Sequence, residues 1–335
     1  MLDFSSKIQN AVQNRLSFVI YRKPNQNHIN LLVNDRSGNN RFLLHSFDSS
    51  IESSISDAHP LSLPADEFNF DLPLPLQAAI PLNKINQHDY EKLIQSTIHK
   101  INHSDISKIV ISRIHSVENQ NYHLFRSFSR LLAHHPTALV YIWHEPEGET
   151  WMGATPELLL SHSAEGLKTV SLAGTKVPEA EWTPKEVEEQ QIVTDFILDA
   201  MKTCPDVKFS RPQTIQAGRF QHLKTYISAG IPDKFDLKEL LNKLHPTPAV
   251  CGLPKKDAFD FIIENETHDR GFYAGYIGIE TQSSNEYFVN LRCARFFSDR
   301  INLFVGGGIT ADSRPENEWT ETELKSGTIM KALSL

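Results

Sequence analysis

Three carboxylates and a lysine stand close together in the stretch NEWTETELKSG, residues 317–327. Glu318 and Glu321 are three apart and Lys325 follows four later, so on a helix they share a face that Ile329 and Ala332 continue as an apolar stripe. Either this is a solvated helix end closed by one salt bridge, or the acids hold a cation. A second acid is placed as unusually. Thr183-Pro184-Lys185-Glu186 reads as a capping box with proline at the first helical position, opening a helix over 184–202. Projected at about 100° per residue, Ile192, Val193, Phe196, Ile197 and Ala200 form its apolar face. Glu189 falls near the centre of that face and Glu188 well off it. A carboxylate aimed at a core is costly unless it meets a basic partner or a metal. Both readings of Glu189 stay open: a buried, ion-paired glutamate, or a ligand or acid–base group. With Glu321 and Glu318 it would offer oxygen donors only. That set suits Mg²⁺, which keeps waters and takes substrate oxygens beside one or two carboxylates.

Two further residues could move protons. Lys108 opens the β-branched run KIVISR, on the same side as Val110 and Ser112 by alternation. A lysine at a strand edge is usually solvated; a desolvated one can act as a base. Glu157, in GATPELLL, precedes three leucines. It is either an exposed residue after a proline turn or an acid whose pKa is raised by apolar surroundings. Gly306–Gly308 follow the strand INLFV. A dinucleotide fingerprint is rejected there, because the polar loop DSRPENE intervenes and no βαβ unit follows. Close backbone approach to an anionic ligand and a plain tight turn remain. Walker, GxSxG and HExxH patterns are absent from the chain.

The elements that must carry these residues alternate in a particular way. HDYEKLIQSTIHKIN is helical by its apolar spacing, and SKIVISRIHSV, ALVYIWH, TWMGA, ELLLSHS and LKTVSLAG read as strands. AEG makes a hairpin turn between the last two. RFQHLKTYISAGI, YAGYIGIET, EYFVNLRCARFF and INLFVGGG are further strands, with a helix near 236–244. Residues 1–48 read as a short helix and strands, and 49–82 as irregular connection. Strands in adjacent antiparallel-looking runs predict an α+β fold, with large antiparallel sheets forming a sandwich-like core and helices outside. The expected organisation is one continuous domain, with a short N-terminal part over 1–84 and a catalytic region over 85–335.

The chain has 335 residues, 40% hydrophobic and 22% charged, with a net charge of -8. That composition fits a globular protein with a substantial core, and with no basic patch it argues against nucleic-acid binding. No apolar run reaches the ~20 residues of a membrane span, and the first residues lack a signal-peptide core. Cys204, Cys251 and Cys293 fit no metal spacing and read as reduced thiols, giving a cytoplasmic expectation.

SKIVISR, GATPELLL, VSLAGTK, KEVEEQQIVTD, FQHLKTYIS, LHPTPAVCGLP, HDRGFYAGYIG, VNLRCARFF, VGGGITADSRPENEW and ETELKSG occur in this order. Together they resemble the chorismate-utilising enzymes, and within them the isochorismate synthases, over about residues 85–333. The resemblance implies a Mg²⁺-dependent isomerase that converts chorismate to isochorismate, adding water at ring C2 while the C4 hydroxyl leaves. In that family the product enters menaquinone or siderophore synthesis. Lys108 matches the water-activating lysine and Glu157 the general acid. Glu189 and Glu321 match the metal ligands, with Glu318 close by. Ala173, Gly174, Thr175, His222, Arg292, Gly306, Gly307, Gly308 and Lys325 match substrate-contacting positions. Lys108 argues for water as nucleophile, since ammonia-using relatives typically carry another residue there; no glutaminase subunit is expected, and the expected state is a monomer. Ala173 argues against an aminodeoxychorismate synthase, which usually has lysine at that site. A salicylate synthase, or a chorismate-binding protein without turnover, are the alternatives. One departure is that many relatives carry histidines around the first metal glutamate, where this chain reads Glu188-Glu189-Gln190.

Overall fold

Runs such as SKIVISRIHSV and ALVYIWH can bury both faces, and such strands need layers on either side. The computed structural model describes residues 3–79, 85–119, 123–217 and 220–333. The side chains of Thr175 and Ala332, and residues 80–82 of the expected irregular connection, lie outside the described set. In chain order the elements are α1 (Phe4–Gln13), β1 (Phe18–Arg22), β2 (His28–Val33), β3 (Asn40–His45), β4 (Glu52–Asp57), β5 (Leu61–Pro64), α2 (Gln87–Asn102) and β6 (Lys108–Glu118). Then come α3 (Leu124–His134), β7 (Leu139–His144), β8 (Thr150–Thr155), β9 (Leu158–Ser163), β10 (Gly166–Lys176), α4 (Pro184–Ala200), β11 (Lys208–Phe209), β12 (Gln213–Ala217) and β13 (Phe220–Ala229). The last part holds α5 (Leu237–Leu244), β14 (Gly252–Leu253), α6 (Lys255–Asn265), β15 (Tyr276–Glu280), β16 (Ser284–Val289), β17 (Cys293–Phe296), β18 (Arg300–Ile309) and α7 (Pro315–Leu333).

Two large antiparallel sheets result, so the α+β fold with helices outside is as the sequence predicts. One sheet runs β14-β6-β18-β17-β8-β7-β1-β2-β5 and the other β11-β13-β10-β9-β16-β15-β3-β4, with β12 also on β13. Alternation divides the apolar residues between two cores. Val19, Tyr21, Tyr141 and Trp143 of the first sheet meet Phe42, Leu44, Ile277 and Ile279 of the second. Phe18, Ile20, Val140 and Ile142 face the other way, against Phe4 and Ile8 of α1, Phe125 and Phe128 of α3, and Ile329 of α7. The strands of the first quarter belong to both sheets: β1 pairs with β7, and β3 with β15.

Two expectations need correction. Part of 49–82 is not irregular, because β4 and β5 pair with β3 and β2. EYFVNLRCARFF is not one strand. It leaves the second sheet as β16, turns through Asn290–Arg292, and enters the first as β17. Arg292 sits at that corner with φ of 49°. Of the two readings of Gly306–Gly308 the tight turn falls: the glycines continue β18, as the strand INLFVGGG predicts, and pair with Ser112, Ile111 and Val110 of β6. Helix α3 lies outside the sequence-based expectation, although Leu124, Phe128 and Leu131 recur at helical spacing.

Candidate active site

The first sheet contributes β6 and β18, the second β10 and β13, and between them α4 and α7 bring their acids to one cleft of about 640 Å³. Lys108, Glu157, Ala173, Gly174, Glu189, His222, Arg292, Gly306, Gly307, Gly308, Glu318, Glu321 and Lys325 all line it. The cleft has the volume of a small-molecule site.

Glu157 follows β8 at the turn into β9 and is only 8% exposed, so the exposed reading is set aside. Leu159, Val193, Ile197 and Val289 line a void of about 10 Å³ against it. Burial pushes its carboxyl up to about 7, against the pull of the Lys108 and Arg292 charges. At neutral pH it can therefore hold a proton to donate. Arg292 feels the same balance: burial holds its guanidinium below the ordinary value, opposed by Glu157. Lys108 is 7% exposed and not solvated. Its Nζ donates to Glu189 Oε1 at 2.5 Å.

Glu189 is not in the core. Its side chain is about one-third exposed and faces the cleft, while Gln190 occupies the buried position of α4 beside Val193 and Ile197. The buried face is thus turned by one residue from the projected one, and Glu189 stands at its border, where Lys108 reaches it. On α7, Glu318 is 9% exposed and accepts from Ser313 Oγ at 2.7 Å. Glu321 pairs with Lys325 at 2.7 Å, and Lys325 also donates to Gly306 O at 2.8 Å. The expected i,i+4 salt bridge therefore exists, but inside the cleft. Glu323 turns away and pairs with Arg113.

Gly307 and Gly308 give the acids room. A Cβ on Gly307 would stand 2.9 Å from Glu318 Oε2 and 3.9 Å from Glu321 Oε1. One on Gly308 would stand 2.7 Å from Lys108 Cε and 3.9 Å from Glu189 Oε1. Three carboxylates thus border a cradle left by two missing side chains. Among the described residues no three His, Cys, Asp or Glu side chains stand close enough together to hold a metal ion by themselves. An all-oxygen, incomplete set fits a hard cation such as Mg²⁺, whose shell is completed by water and substrate oxygens.

Gly174 makes a bulge in β10 with φ of 70°, where the pairing with β13 shifts between Ala173 and Thr175. The bulge carbonyl Gly174 O meets His222 Nδ1 at 3.1 Å, and burial is the largest influence lowering the His222 pKa. His135, which follows the last turn of α3, also lines the cleft. Burial first, and then the Arg292 charge, brings its pKa down to about 4, so its imidazole is neutral at pH 7. No spacing rule marks it, since only the fold brings α3 to this wall.

The family described as "Chorismate binding enzyme" matches residues 45–334. Isochorismate synthase DhbC of Bacillus subtilis is 31% identical over 202 residues, 56% of this chain and 51% of that protein. Isochorismate synthase MenF of Haemophilus influenzae is 32% identical over 203 residues, 57% of this chain and 47% of that protein. The chain spans about half the length of these curated relatives. The structure of MenF, the menaquinone-specific isochorismate synthase from Escherichia coli, superposes with a TM-score of 0.79 at 20% identity, covering 95% of this chain and 88% of that one. That likeness extends the shared fold to the first strands. A family match over this much of the chain, on a fold that gathers the acids of α4 and α7 around one cleft, places the chain among the chorismate-binding enzymes.

Proposed function

We propose that the chain is an isochorismate synthase that converts chorismate to isochorismate with Mg²⁺. The observation that carries this reading is a lysine and a protonatable glutamate on one cleft, within each other's electrostatic reach, with an arginine beside them. Chorismate is a dianion whose C4 hydroxyl is a poor leaving group. Glu157, kept neutral by burial, donates its proton to that hydroxyl so that it departs as water. Lys108 takes a proton from the water that attacks C2. One water enters and one leaves, which makes the reaction an isomerisation. Arg292 clamps a carboxylate with its planar fork. Ala173, Gly174, Thr175, His222, Lys325 and the Gly306–Gly308 backbone hold the ring and the second carboxylate. Mg²⁺ held by Glu189, Glu321 and Glu318 would supply positive charge to a substrate carboxylate. A positioned acid and base each contribute about 10²–10⁴-fold in rate.

Lys108 favours water over ammonia as nucleophile, so the enzyme would work without a glutaminase subunit. Product analysis by mass and proton NMR, after incubation with chorismate and Mg²⁺, tests the reading. Isochorismate as the initial product supports it. Salicylate plus pyruvate as initial products would replace it with a salicylate synthase, and binding without conversion with a non-catalytic chorismate-binding protein.

A further inference from the structure

Gln190 lies next to Glu189 but points away from the cleft, and it is 1% exposed. An amide in such a place is costly unless its polar atoms find partners. Its Nε2 donates to Ser171 Oγ at 2.8 Å, to Ser171 O at 3.2 Å and to Thr225 Oγ1 at 3.2 Å. Its Oε1 accepts from the backbone N–H of Ala173 at 2.8 Å. Ser171 Oγ lies 2.7 Å from Thr194 Oγ1, which in turn donates to Gln190 O at 3.0 Å. One amide thus ties α4 to both β10 and β13.

The place where it holds β10 matters. Ala173 is the residue before Gly174, where the pairing with β13 shifts, and a bulge leaves backbone groups outside the regular ladder. Gln190 supplies the acceptor for one of them. On the other side of the bulge, a Cβ on Gly174 would stand 3.0 Å from Glu186 O, so the first turn of α4 rests on this backbone. Ala173, Gly174, Glu186 and Glu189 line the cleft, whereas Gln190 does not.

We infer that Gln190 is a positioning residue: it fixes the β10 bulge at a set distance from the Glu189 carboxylate, so that one substrate meets both. The kinetic consequence rests on the chorismate reading above; the backbone consequence does not. A neutral side chain that only filled space would be replaceable by one of equal length without effect on the bulge.

The test compares wild type, Gln190→Met, Gln190→Glu and a control that does not line the cleft, Tyr287→Phe, which loses a part-buried hydrogen bond from β16 to Glu280 of β15. Amide hydrogen exchange is followed over residues 170–176, together with KM for chorismate, the Mg²⁺ half-saturation and kcat. In Gln190→Met, exchange at Ala173–Thr175 is expected to accelerate about tenfold or more, with β9 unchanged. KM and the Mg²⁺ requirement rise together by about tenfold, with kcat within about threefold. Tyr287→Phe lowers the Tm and leaves KM alone. Unchanged exchange at 173–175, or a loss confined to kcat, would overturn the inference. If the methionine variant fails to fold, Gln190→Glu is read by the same two outcomes. If wild type binds no chorismate, the substrate reading falls, and the exchange result alone decides for or against Gln190 as the clamp.

Discussion

Lys108 Nζ donates a hydrogen bond to Glu189 Oε1 at 2.5 Å, so the proposed base and a proposed metal ligand hold one another. A base must offer its lone pair, and in this contact the amine is the donor instead. Lys325 and Glu321 repeat the arrangement on α7 at 2.7 Å. Two lysines thus hold two of the cleft's acids, and under the Mg²⁺ proposal a cation would take their place. On that proposal the site begins with an exchange of partners, and the predictions turn on who holds Glu189.

Lys108→Ala removes the proposed proton acceptor and leaves Glu189 facing the cleft. Turnover is expected to fall by about 10³-fold or more, within the range of a lost general base. Chorismate binding with Mg²⁺, followed by calorimetry, stays within a few-fold. Near-normal turnover would remove Lys108 from the mechanism.

Chorismate and Mg²⁺ are expected to stabilise the protein together by more than the sum of their separate effects. On the proposed reading, Glu189, Glu318 and Glu321, which all line the cleft, would give Mg²⁺ only part of its shell and substrate oxygens would supply more. Thermal shifts with each ligand alone and with both read this directly, and chelation should return the Tm to that of chorismate alone. Glu189→Gln should raise the Mg²⁺ half-saturation about tenfold or more; an unchanged titration refutes the ligand assignment.

Glu157 gives a pH dependence with a defined sign. Its folded pKa of about 7 lies above the ordinary 4.5. The folded chain therefore binds more protons than the unfolded chain between those values, and stability falls as pH rises through the window. The contribution is fully present below about 4.5 and lost above about 7. Its size is about 3 kcal/mol by the conversion of one unit to ~1.4 kcal/mol. Activity follows the same group, because only the protonated form donates: kcat/KM should decline above about pH 7. Glu157→Gln should flatten the stability profile and reduce turnover by about 10²–10⁴-fold. If the Glu157→Gln variant kept the wild-type alkaline decline, another group would set it.

Gly308→Ala separates site from fold. The added methyl would stand 2.7 Å from Lys108 Cε, and the far end of a lysine can move aside. The expected stability loss is under about 1 kcal/mol. A displacement of about 1 Å at a reacting group costs up to ~10²-fold in rate. A kinetic defect with nearly unchanged denaturant unfolding checks this.

Arg113 anchors the helix that carries Glu318 and Glu321. Its guanidinium lies 3.9 Å from the Trp319 ring, donates to Thr322 Oγ1 at 2.8 Å and pairs with Glu323. Arg113→Leu should cost about 2–3 kcal/mol in unfolding free energy, from one buried hydrogen bond and the ring contact. It should also weaken Mg²⁺ binding, although Arg113 does not line the cleft.

Glu318 and Glu321 are legible because they head a helical stripe that Ile329 continues, whereas Glu189 lies at the border of the apolar face of α4, one residue off the projection that centres it there. Lys108 and Glu157 are legible as types, but their burial depends on strands far away in sequence. Gln190 carries a weaker signal, a polar residue one position from the projected face centre, and only the bulge it meets on β10 explains it. The corner at Arg292 escapes the sequence, because alternation does not register a strand passing from one sheet to the other. The strands β4 and β5, rich in serine, carry too little apolar alternation to stand out before β3 and β2 are in place.

The interleaving of early and late strands has a consequence for synthesis. Residues 18–22 wait for 140–144, residues 41–45 for 276–280, and β6 for β18, which ends at Ile309. Neither sheet can close while most of the polypeptide is still on the ribosome. Such long-range pairing is slow, and it leaves apolar strands uncovered meanwhile. Yield in cells should therefore respond to chaperone supply and growth temperature more sharply than the finished protein's stability would suggest.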